Sequence, residues 1–475
     1  MRLPVRNPRT GEVDYHIDPL TPEELRAGAE RLRAAQLAWA ALGPDGRGDA
    51  LRRWAAAIAD AQPELTDALF ADTGRRGISQ LEVKGTVRLI ERWAARAPEL
   101  IHHTEGGERP TAFPGVVART RVHPYALVGA ISPWNFPLTL ALIDAVPALA
   151  AGCAVLVKPS EVTPRFIRPL METVERVPEL ASVLAVVEGD GATGAALIPL
   201  VDYVCFTGSV ATGEKVAEAA ARAFVPASLE LGGKDPLLVL ESADAERAAV
   251  VALRASVVNS GQACQSIERV YVARPIADAF LAALVREAEA ARLSYPDPDK
   301  GDIGPFIFAR QAEIVRAQLA DAVAKGARVL AGGTVEELGG LWLRPTVLAD
   351  VTPDMAVIRE ETFGPVIPVM AFDTVEEAVA LANGGEWGLS AAVLAGDLAE
   401  AEAVATRLNA GAVSVGDGAL TSVVYEAEKT SWGRSGLGPS RMGDSGLLRF
   451  FRRQALLVQT GEPLPLAAYS EEALA

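Results

Sequence analysis

The chain has 475 residues, of which 50% are hydrophobic and 22% are charged, and its formal net charge is −16. That length exceeds one typical hydrophobic core, so we expect two or three domains, and the hydrophobic content excludes a disordered chain. An acidic surface repels phosphate backbones and anionic lipids, which argues against nucleic-acid binding and membrane-surface binding.

Three cysteines are scattered through apolar segments, at Cys153, Cys205 and Cys264. An odd, sparse set is no disulfide framework and indicates a reducing compartment, so we expect a cytoplasmic protein. Residues 1–19 are polar and do not resemble a secretory signal. The apolar stretch 136–157 is interrupted by two prolines, an aspartate and Gly152. It therefore predicts a helix, a glycine stop and a buried strand rather than a membrane span.

The first half of the chain predicts alternating elements. Apolar residues at helical spacing over 21–59, broken at Gly43-Pro44, predict two helices, and alternation over 114–128 predicts an exposed hairpin. Three strands follow, separated by helices that begin near Pro164 and Ala192, with a further helix after Gly213; the strands span 153–157, 184–187 and 203–206. This repetition predicts a mostly parallel sheet with helices on both faces.

The second half repeats the pattern, beginning near Glu230. It predicts strands over 270–272, 366–371 and 391–395, and helices over 276–291, 309–324 and 375–382. We therefore expect an α/β protein with two doubly wound domains. No Gly/Ser-rich run separates them, so the two blocks should pack tightly.

Glu230 and Cys264 carry the most reactive groups. Glu230 begins the run Glu230-Leu231-Gly232-Gly233-Lys234, and Cys264 ends the run Ser260-Gly261-Gln262-Ala263-Cys264. A thiolate is a strong nucleophile, and a carboxylate can activate water as a general base. The pair predicts covalent catalysis in which sulfur attacks and water then releases the bound group.

Two glycine-bearing turns are candidates for phosphate binding. The run Phe206-Thr207-Gly208-Ser209-Val210-Ala211-Thr212-Gly213 follows a predicted strand and begins a helix, whose free N–H groups attract anions. The run Gly189-Asp190-Gly191-Ala192-Thr193-Gly194 matches the GxGxxG pattern. Spacing alone favours the alternative that both are ordinary strand-to-helix turns.

Two further segments each have a functional and a structural interpretation. Lys158-Pro159-Ser160-Glu161 follows a predicted strand, where its side chains could hold ribose hydroxyls, or it is a solvated helix start capped by Ser160 or Thr163. Pro133-Trp134-Asn135-Phe136-Pro137 fixes an amide between two prolines, either as an oxyanion donor or as a rigid turn.

In this order along the chain, the six segments resemble the aldehyde dehydrogenase superfamily. They are Pro133–Pro137, Lys158–Glu161, Phe206–Ser209, Glu230–Lys234, Gly261–Cys264 and Glu361-Thr362-Phe363-Gly364-Pro365. The resemblance spans residues 7–438. It implies a Rossmann-like cofactor domain, a catalytic domain and a small β element for bridging and oligomerisation.

The resemblance also implies a role for each catalytic residue. Cys264 adds to an aldehyde to form a thiohemiacetal, whose oxyanion Asn135 and the Cys264 backbone N–H stabilise. Hydride leaves for the nicotinamide, and a thioester remains on sulfur. Glu230 then activates the water that releases a carboxylic acid.

The cofactor that the resemblance implies is NAD, because a carboxylate at Glu161 would repel the 2′-phosphate of NADP. Lys158 and Glu161 would bind the adenosine ribose, Ser209 the pyrophosphate and Glu361 the nicotinamide ribose, while Phe363 would pack near the nicotinamide ring. The implied cofactor-binding residues are Trp134, Lys158, Ser160, Glu161, Gly191, Thr207, Gly208, Ser209, Leu231, Glu361 and Phe363.

The partners implied are a small-molecule aldehyde and further copies of the chain, as a homodimer or homotetramer; we expect no metal. The expected dinucleotide-binding domain is 1–105 with 125–230, the catalytic domain is 231–450, and the bridging element is 106–124 with 451–475.

Some residues depart from the family pattern. Asp144 stands where many members carry Lys, and Asp235 where Asn or Ser is frequent. Gly416-Asp417 and Ser431-Trp432-Gly433-Arg434 replace two late motifs near the substrate mouth, so the sequence does not identify the aldehyde.

Three alternative functions are weaker. A CoA-acylating enzyme would not need Glu230, and a cysteine hydrolase would need a histidine partner. A catalytically silent binding protein would not need Cys264, Glu230 and Asn135 together.

Overall fold

The computed structural model describes residues 2–474. The strands are β1 Leu3–Arg6, β2 Val13–Ile17, β3 Arg109–Pro110, β4 Val116–Pro124, β5 Leu127–Ile131, β6 Ala154–Lys158, β7 Leu184–Val186, β8 Tyr203–Thr207, β9 Ala227–Glu230, β10 Asp235–Val239, β11 Ile267–Ala273, β12 Arg328–Ala331, β13 Val335–Leu338, β14 Gly340–Leu343, β15 Thr346–Ala349, β16 Val366–Phe372, β17 Trp387–Gly388, β18 Ser390–Leu394, β19 Ala412–Val415, β20 Trp432–Gly433, β21 Gly436–Leu437 and β22 Phe451–Gln459.

The α-helices are α1 Pro22–Ala41, α2 Gly43–Asp60, α3 Gln62–Thr73, α4 Arg76–Glu105, α5 Pro137–Leu142, α6 Ala145–Ala151, α7 Ile167–Glu175, α8 Pro178–Ala181, α9 Gly191–Leu197, α10 Val210–Ala223, α11 Ala245–Val257, α12 Arg274–Ala290, α13 Ala309–Ala324, α14 Ala356–Arg359, α15 Val375–Asn383, α16 Leu398–Ala405, α17 Ser445–Leu448 and α18 Glu471–Leu474. None of the helices in residues 2–474 is long and apolar enough to cross a membrane.

The first sheet has six strands in the order β21-β9-β8-β5-β6-β7. Strands β5 to β9 run parallel, and β21 joins the edge antiparallel. From β5 the chain adds β6 and β7 on one side, then β8 and β9 on the other, so the order reverses between β5 and β8. Open α/β sheets bind ligands beyond the carboxyl ends of the strands at such a switch point. The crevice of this sheet therefore lies beyond Ile131 and Thr207.

The second sheet has seven strands in the order β12-β15-β16-β11-β10-β18-β19, with β12 alone antiparallel to its neighbour among them. Every residue of β10, β11 and β18 is buried. Helices α11 and α12 pack on one face, and α15 and α16 on the other. The two sheets confirm the expected α/β fold with helices on both faces of mostly parallel strands.

The N-terminal helices pack against the first sheet. A capping box holds the start of α1, because Thr21 and Glu24 satisfy each other's backbone N–H groups. The break predicted at Gly43-Pro44 is present, since α1 ends at Ala41 and α2 begins at Gly43. The predicted glycine stop is also present, because Gly152 ends α6 with a φ of 106°.

The predicted exposed hairpin over 114–128 is wrong, because the segment divides between two sheets. Strand β4 pairs along its whole length with β22 from the C-terminal part of the chain and briefly with β3. Strand β5 is instead a central strand of the first sheet, paired with β6 and β8. Their burial explains the division: all five residues of β5 are buried, whereas Val122 is the only buried residue of β4. A strand buried on both faces belongs inside a parallel sheet.

Two helices begin at other positions than the sequence predicts. Helix α10 begins at Val210, so Gly213 lies inside it, where a Cβ would be 2.5 Å from the Leu231 side chain. Helix α7 begins at Ile167, after a turn in which the Ser160 hydroxyl accepts from the Val162 N–H rather than capping the helix. Close packing of Gly213 against Leu231 explains why a glycine lies inside α10. The turn formed by the Ser160 side chain explains why α7 begins later than the sequence predicts.

Candidate active site

The candidate site lies where opposite edges of the two sheets face each other. Lys158, Thr207 and Glu230 end β6, β8 and β9 at the carboxyl edge of the first sheet. Three segments precede strands of the second sheet at its amino edge: 232–234 before β10, 264–266 before β11 and 361–365 before β16. The Glu361 carboxylate of the second edge accepts a hydrogen bond from the Gly233 N–H at 3.2 Å, which ties these loops together.

The loop before Cys264 has a strained backbone. Asn259, Ser260 and Gly261 have consecutive φ angles of 54°, 58° and 70°. For the two non-glycine residues this left-handed conformation costs on the order of 1–3 kcal/mol each. At Gly261 a Cβ would lie 2.3 Å from the carbonyl oxygen of Gly364, so only glycine fits. Strain of this kind is typical of positions whose geometry the reaction requires.

An amide network supports this strained loop and includes Asn135. The Asn135 Nδ2 donates to the Gln262 carbonyl at 3.0 Å, and Asn259 Nδ2 donates to the Asn135 carbonyl at 3.0 Å. The Gln262 side chain donates to the Asn259 and Pro305 carbonyls and accepts from the Ile307 N–H. An asparagine amide carries two N–H donors, so one Asn135 donor remains for a group beside Cys264.

Cys264 as a whole residue is partly exposed, but its thiol is desolvated. The pKa of the thiol is raised to about 11, mainly by burial and also by the carboxylates of Asp235, Glu230 and Glu361. The Lys429 ammonium opposes them and lowers the pKa. Glu230 therefore acts electrostatically on Cys264, although the two residues belong to different sheets. In the free enzyme at neutral pH, the thiol is mostly protonated.

The Glu230 side chain is held by Ser431, whose hydroxyl donates to Oε2 at 2.7 Å. The Glu230 backbone is fixed on both sides, since β9 pairs with Thr207 on β8 and with Gly436 on β21. The carboxylate is half-buried, and its other oxygen is free to accept from water. Ser431 was noted in the sequence only as a departure from a family motif.

Gly232 and Gly233, which follow Glu230, leave space for the Glu361 side chain and the Cys264 loop. At Gly232 a Cβ would lie 2.4 Å from the Glu361 carboxylate, and at Gly233 it would lie 3.0 Å from the Cys264 carbonyl oxygen. Both positions therefore require glycine for the close approach of the three loops. Burial raises the pKa of Glu361, and the nearby Glu268 carboxylate raises it further.

Glu268 is a structural member of the site that the sequence did not indicate. Its carboxylate accepts from the Lys234 ammonium at 2.7 Å and from the backbone N–H groups of Thr362 and Phe363 at 2.8 and 2.7 Å. Lys234 also donates to the Thr362 hydroxyl. The buried pair thereby fixes the segment that carries Glu361 and Phe363. A glutamate inside a β-strand pattern gives no such signal on its own.

Aromatic rings from both edges meet above this segment. The Trp134 ring packs edge-on against Phe363, with 5.4 Å between centroids, and lies 6.0 Å from Phe308. Phe363 itself has a φ of 51°. The structure thus brings together two of the predicted cofactor residues that are far apart in sequence.

The two glycine turns differ in what their helix N-termini bind. At α9 the Asp190 carboxylate accepts from the N–H groups of Ala192 and Thr193, so this anion site is already filled by the protein. At α10 the Ser209 side chain makes no capping bond and its hydroxyl donates instead to Thr212. The N-terminus of α9 is therefore capped by the protein itself, whereas that of α10 has no side-chain cap and would attract an anion.

The remaining cofactor candidates lie around these two turns. Gly191 has no heavy atom within 4 Å of the place that a Cβ would fill, so a ligand can approach its backbone. The Lys158 ammonium lies 3.3 Å from Glu161 and 3.2 Å from the Asp190 carbonyl. The Leu231 N–H donates to the Ser435 carbonyl and Gly208 donates to the Glu230 carbonyl. Apart from Gly191, these candidates lie at the carboxyl ends of β6, β8 and β9, on the same edge as the N-terminus of α10.

Thr207 and the departure at Asp144 belong to a buried ionic cluster. Arg441 donates to Asp144 at 2.8 Å and to the Thr207 hydroxyl at 2.6 Å, and Arg449 also binds Asp144. Burial alone would raise the pKa of Asp144, but the two arginines hold it below its ordinary value. The Thr207 hydroxyl accepts from Arg441 and keeps its own O–H as a donor, and Asp144 has structural partners of its own. Within residues 2–474 no group of three metal-ligating side chains was found.

Comparison with known proteins agrees over nearly the whole chain. The sequence matches the aldehyde dehydrogenase family over residues 1–456. A protein of Mycolicibacterium smegmatis named “Putative succinate-semialdehyde dehydrogenase [NADP(+)]” is 37% identical over 461 residues, covering 95% of this chain and 88% of that protein.

Solved structures give the same result. “Putative Aldehyde Dehydrogenase PutA” from Anabaena variabilis superposes with a TM-score of 0.96 at 52% identity and covers 98% of this chain and 99% of that chain. Lactaldehyde dehydrogenase from Escherichia coli superposes with a TM-score of 0.91 at 32% identity, covering 97% and 96% respectively.

Proposed function

The chain belongs to the aldehyde dehydrogenase family, and we propose that it oxidises a small aldehyde to the carboxylic acid on Cys264, with water as the final acceptor. The observation that carries this proposal is that Cys264, Asn135 and the Ser431-held Glu230 converge at the junction of the two sheets. A nucleophile, an oxyanion donor and a water-activating base are the three groups that the reaction needs.

In the first stage the Cys264 sulfur forms a bond to the aldehyde carbon, the carbon–oxygen double bond becomes a single bond, and the thiol proton passes to solvent water. The carbonyl oxygen becomes an oxyanion, which accepts from the free Asn135 N–H and the Cys264 backbone N–H. A bound dinucleotide supplies the nicotinamide that takes the hydrogen of this carbon with its electron pair.

In the second stage the thioester on Cys264 is hydrolysed. Glu230 accepts a proton from water, and the hydroxide adds to the thioester carbon. The carbon–sulfur bond breaks, the carboxylic acid leaves and the thiol is restored. The hydrogen bond from Ser431 leaves one Glu230 oxygen for the water.

For the cofactor we propose NAD in preference to NADP. The support is the Glu161 carboxylate beside Lys158, at the carboxyl end of β6, where it would repel a 2′-phosphate. The names of the mycobacterial relatives carry NADP(+), which favours the other choice for those proteins. Titration of NADH and NADPH by fluorescence decides between them, with Glu161→Gln as the variant that should improve NADPH binding. Equal binding of both cofactors by the native chain would contradict the NAD preference.

The proposed reaction is tested by Cys264→Ala. NADH formation should be lost over a panel of aliphatic, aromatic and carboxylated aldehydes, while NADH binding is retained. Cys205→Ala, a buried cysteine away from the site, is the matched control and should keep activity. Full activity in Cys264→Ala would contradict the mechanism.

We also propose that the chain self-associates through the sheet of β3, β4 and β22, and that the domains follow the boundaries expected from the sequence, except that β21 and residues 447–450 belong with the first sheet. Self-association is supported by the antiparallel pair of β4 and β22, which is nine residues long. Strand β22 lies at the edge of this sheet, and its residue Leu457 is 69% exposed. An open edge of this length favours pairing with another strand. Sedimentation equilibrium should give a mass two or four times 49.9 kDa. A single-chain mass at micromolar concentration would contradict the proposal.

A further inference from the structure

Lys429 is a buried lysine two residues from Ser431, which holds Glu230, and its ammonium has no partner among the described residues. The residue is 9% exposed, and its Nζ is closed to solvent and makes no hydrogen bond or ion pair with the described residues. A buried ammonium left unpaired is costly, so its place in the fold calls for an anion that is not part of the chain.

The charges around Lys429 show which groups of the site its ammonium acts on. Its ammonium acts on the Cys264 thiol and on Asp235, both at the amino edge of the second sheet. No ion pair joins Lys429 to Asp235, whose carboxylate is already occupied by the hydroxyl and N–H of Ser390. Lys429 therefore acts on Cys264, and Ser431, two residues further along its segment, holds Glu230; these are the two groups proposed to act on the aldehyde carbon.

The Lys429 backbone is held in place together with the Glu230 partner. The Lys429 N–H donates to the Ser440 hydroxyl at 3.2 Å, and that hydroxyl also bonds both backbone groups of Met442. Ser431, two residues further on, binds Glu230. The ammonium is thus mounted on the same fixed segment as the hydrolytic machinery, rather than on a mobile surface loop.

Resting on the proposed function, we propose that Lys429 binds an anionic group of the substrate, so that the enzyme's substrate class is an aldehyde with a carboxylate a few carbons from the carbonyl. Binding such a substrate pairs the buried ammonium and fixes the carbonyl against Cys264 with the same contact. A neutral aldehyde of equal length would leave the ammonium unpaired.

The test compares kcat/KM for 4-oxobutanoate and 5-oxopentanoate with that for butanal and pentanal, at saturating cofactor. The native enzyme should prefer the carboxylated aldehydes, and Lys429→Met should lower this preference by about 10- to 100-fold, since a hydrogen bond to a charged group is lost. Lys429→Arg should keep part of the preference. Lys215→Met, which removes an exposed lysine on α10, is the matched control and should keep all of it.

A second measurement separates this proposal from the reaction itself. Calorimetry with Cys264→Ala, which cannot turn over, should show 4-oxobutanoate binding that is lost in the Cys264→Ala, Lys429→Met double variant. No turnover of any aldehyde by the native enzyme would overturn the proposed function, while this binding would still decide the role of Lys429.

Two results would overturn the role of Lys429. One is an equal loss of kcat/KM for charged and neutral aldehydes in Lys429→Met, with slower alkylation of Cys264 by iodoacetamide, which would make Lys429 a thiolate-stabilising residue instead. The other is unchanged 4-oxobutanoate binding in the double variant. Circular dichroism and NADH binding confirm that each variant is folded.

Discussion

The two sheets have the same architecture but contribute to the site from opposite ends. The first sheet presents the carboxyl ends of β6, β8 and β9, where the switch point of an open α/β sheet is expected to bind ligands. The second sheet presents the amino ends of β10, β11 and β16, away from its own switch point between β10 and β18. The fold rule therefore locates the cofactor side of the site and does not locate Cys264.

The two edges are also built by different means. The first edge relies on strand ends and on the free N-terminus of α10, which need little support. The second edge relies on a left-handed backbone from Asn259 to Gly261 and on the buried Lys234–Glu268 pair. We infer that the second edge tolerates substitution poorly, because each of these features is stable only when its neighbours are in place.

The largest effect is expected for Glu268→Gln. It leaves the buried Lys234 without its carboxylate partner and weakens the bonds to Thr362 and Phe363. The free energy of unfolding should fall by about 3–5 kcal/mol, measured by urea titration. Glu172→Gln breaks an exposed pair with Arg168 on α7 and should cost less than about 1 kcal/mol. Equal free energies of unfolding for the two variants would contradict the inference that the second edge tolerates substitution poorly.

Asn135→Ala should have the next largest effect. It removes the proposed oxyanion donor, whose side chain donates to the Gln262 carbonyl in the loop before Cys264. Loss of one such donor typically lowers kcat by about 100- to 1000-fold, or about 3 kcal/mol. Stopped-flow formation of NADH measures this step directly. A variant with near-native kcat would show that Asn135 serves only the amide network of Asn259 and Gln262.

Ser431→Ala should have the smallest effect, because it removes one hydrogen bond from Glu230. The loss is about 1 kcal/mol, which corresponds to acid release slower by about fivefold. The first turnover of NADH formation should be unaffected, so that a burst precedes the slower steady state. Ser431→Thr should restore the rate, and Ser422→Ala, an exposed serine elsewhere in the same segment, is the control. Equal slowing of both phases would contradict a role in placing Glu230.

Sequence predicted two of the three strands at each edge, since the predicted strands over 270–272 and 366–371 correspond to β11 and β16 of the second edge. The strands that end at Val157 and Phe206, and the helices that follow them, are local apolar patterns and were confirmed within a few residues. Strands β9 and β10 flank the glycine run at 231–234 and were not predicted. Strand β9 is short, and the run between the two strands shows no alternation of apolar and polar residues. The longest helix, α4, was not predicted either.

The supporting residues of the site could not be found in sequence because their roles depend on distant partners. Glu268 acts through Lys234, Thr362 and Phe363, and Ser431 through Glu230, 201 positions away. Asp190 shows the reverse case, in which a sequence match to a phosphate-binding turn has its helix N-terminus capped by a side chain of the turn itself. A sequence motif identifies a residue whose own side chain is reactive, such as Cys264. It does not identify a residue whose role depends on contacts with residues that are distant in sequence.

The central claim is that Cys264 on one sheet and Glu230 on the other act in successive steps on the same carbon. Intact-mass spectrometry of Glu230→Gln, quenched during turnover with aldehyde and cofactor, tests it most directly. We predict an added acyl group on the peptide that contains Cys264, and little of it in the native enzyme. Native-like turnover of Glu230→Gln, or an inactive variant with an unmodified Cys264, would contradict the account.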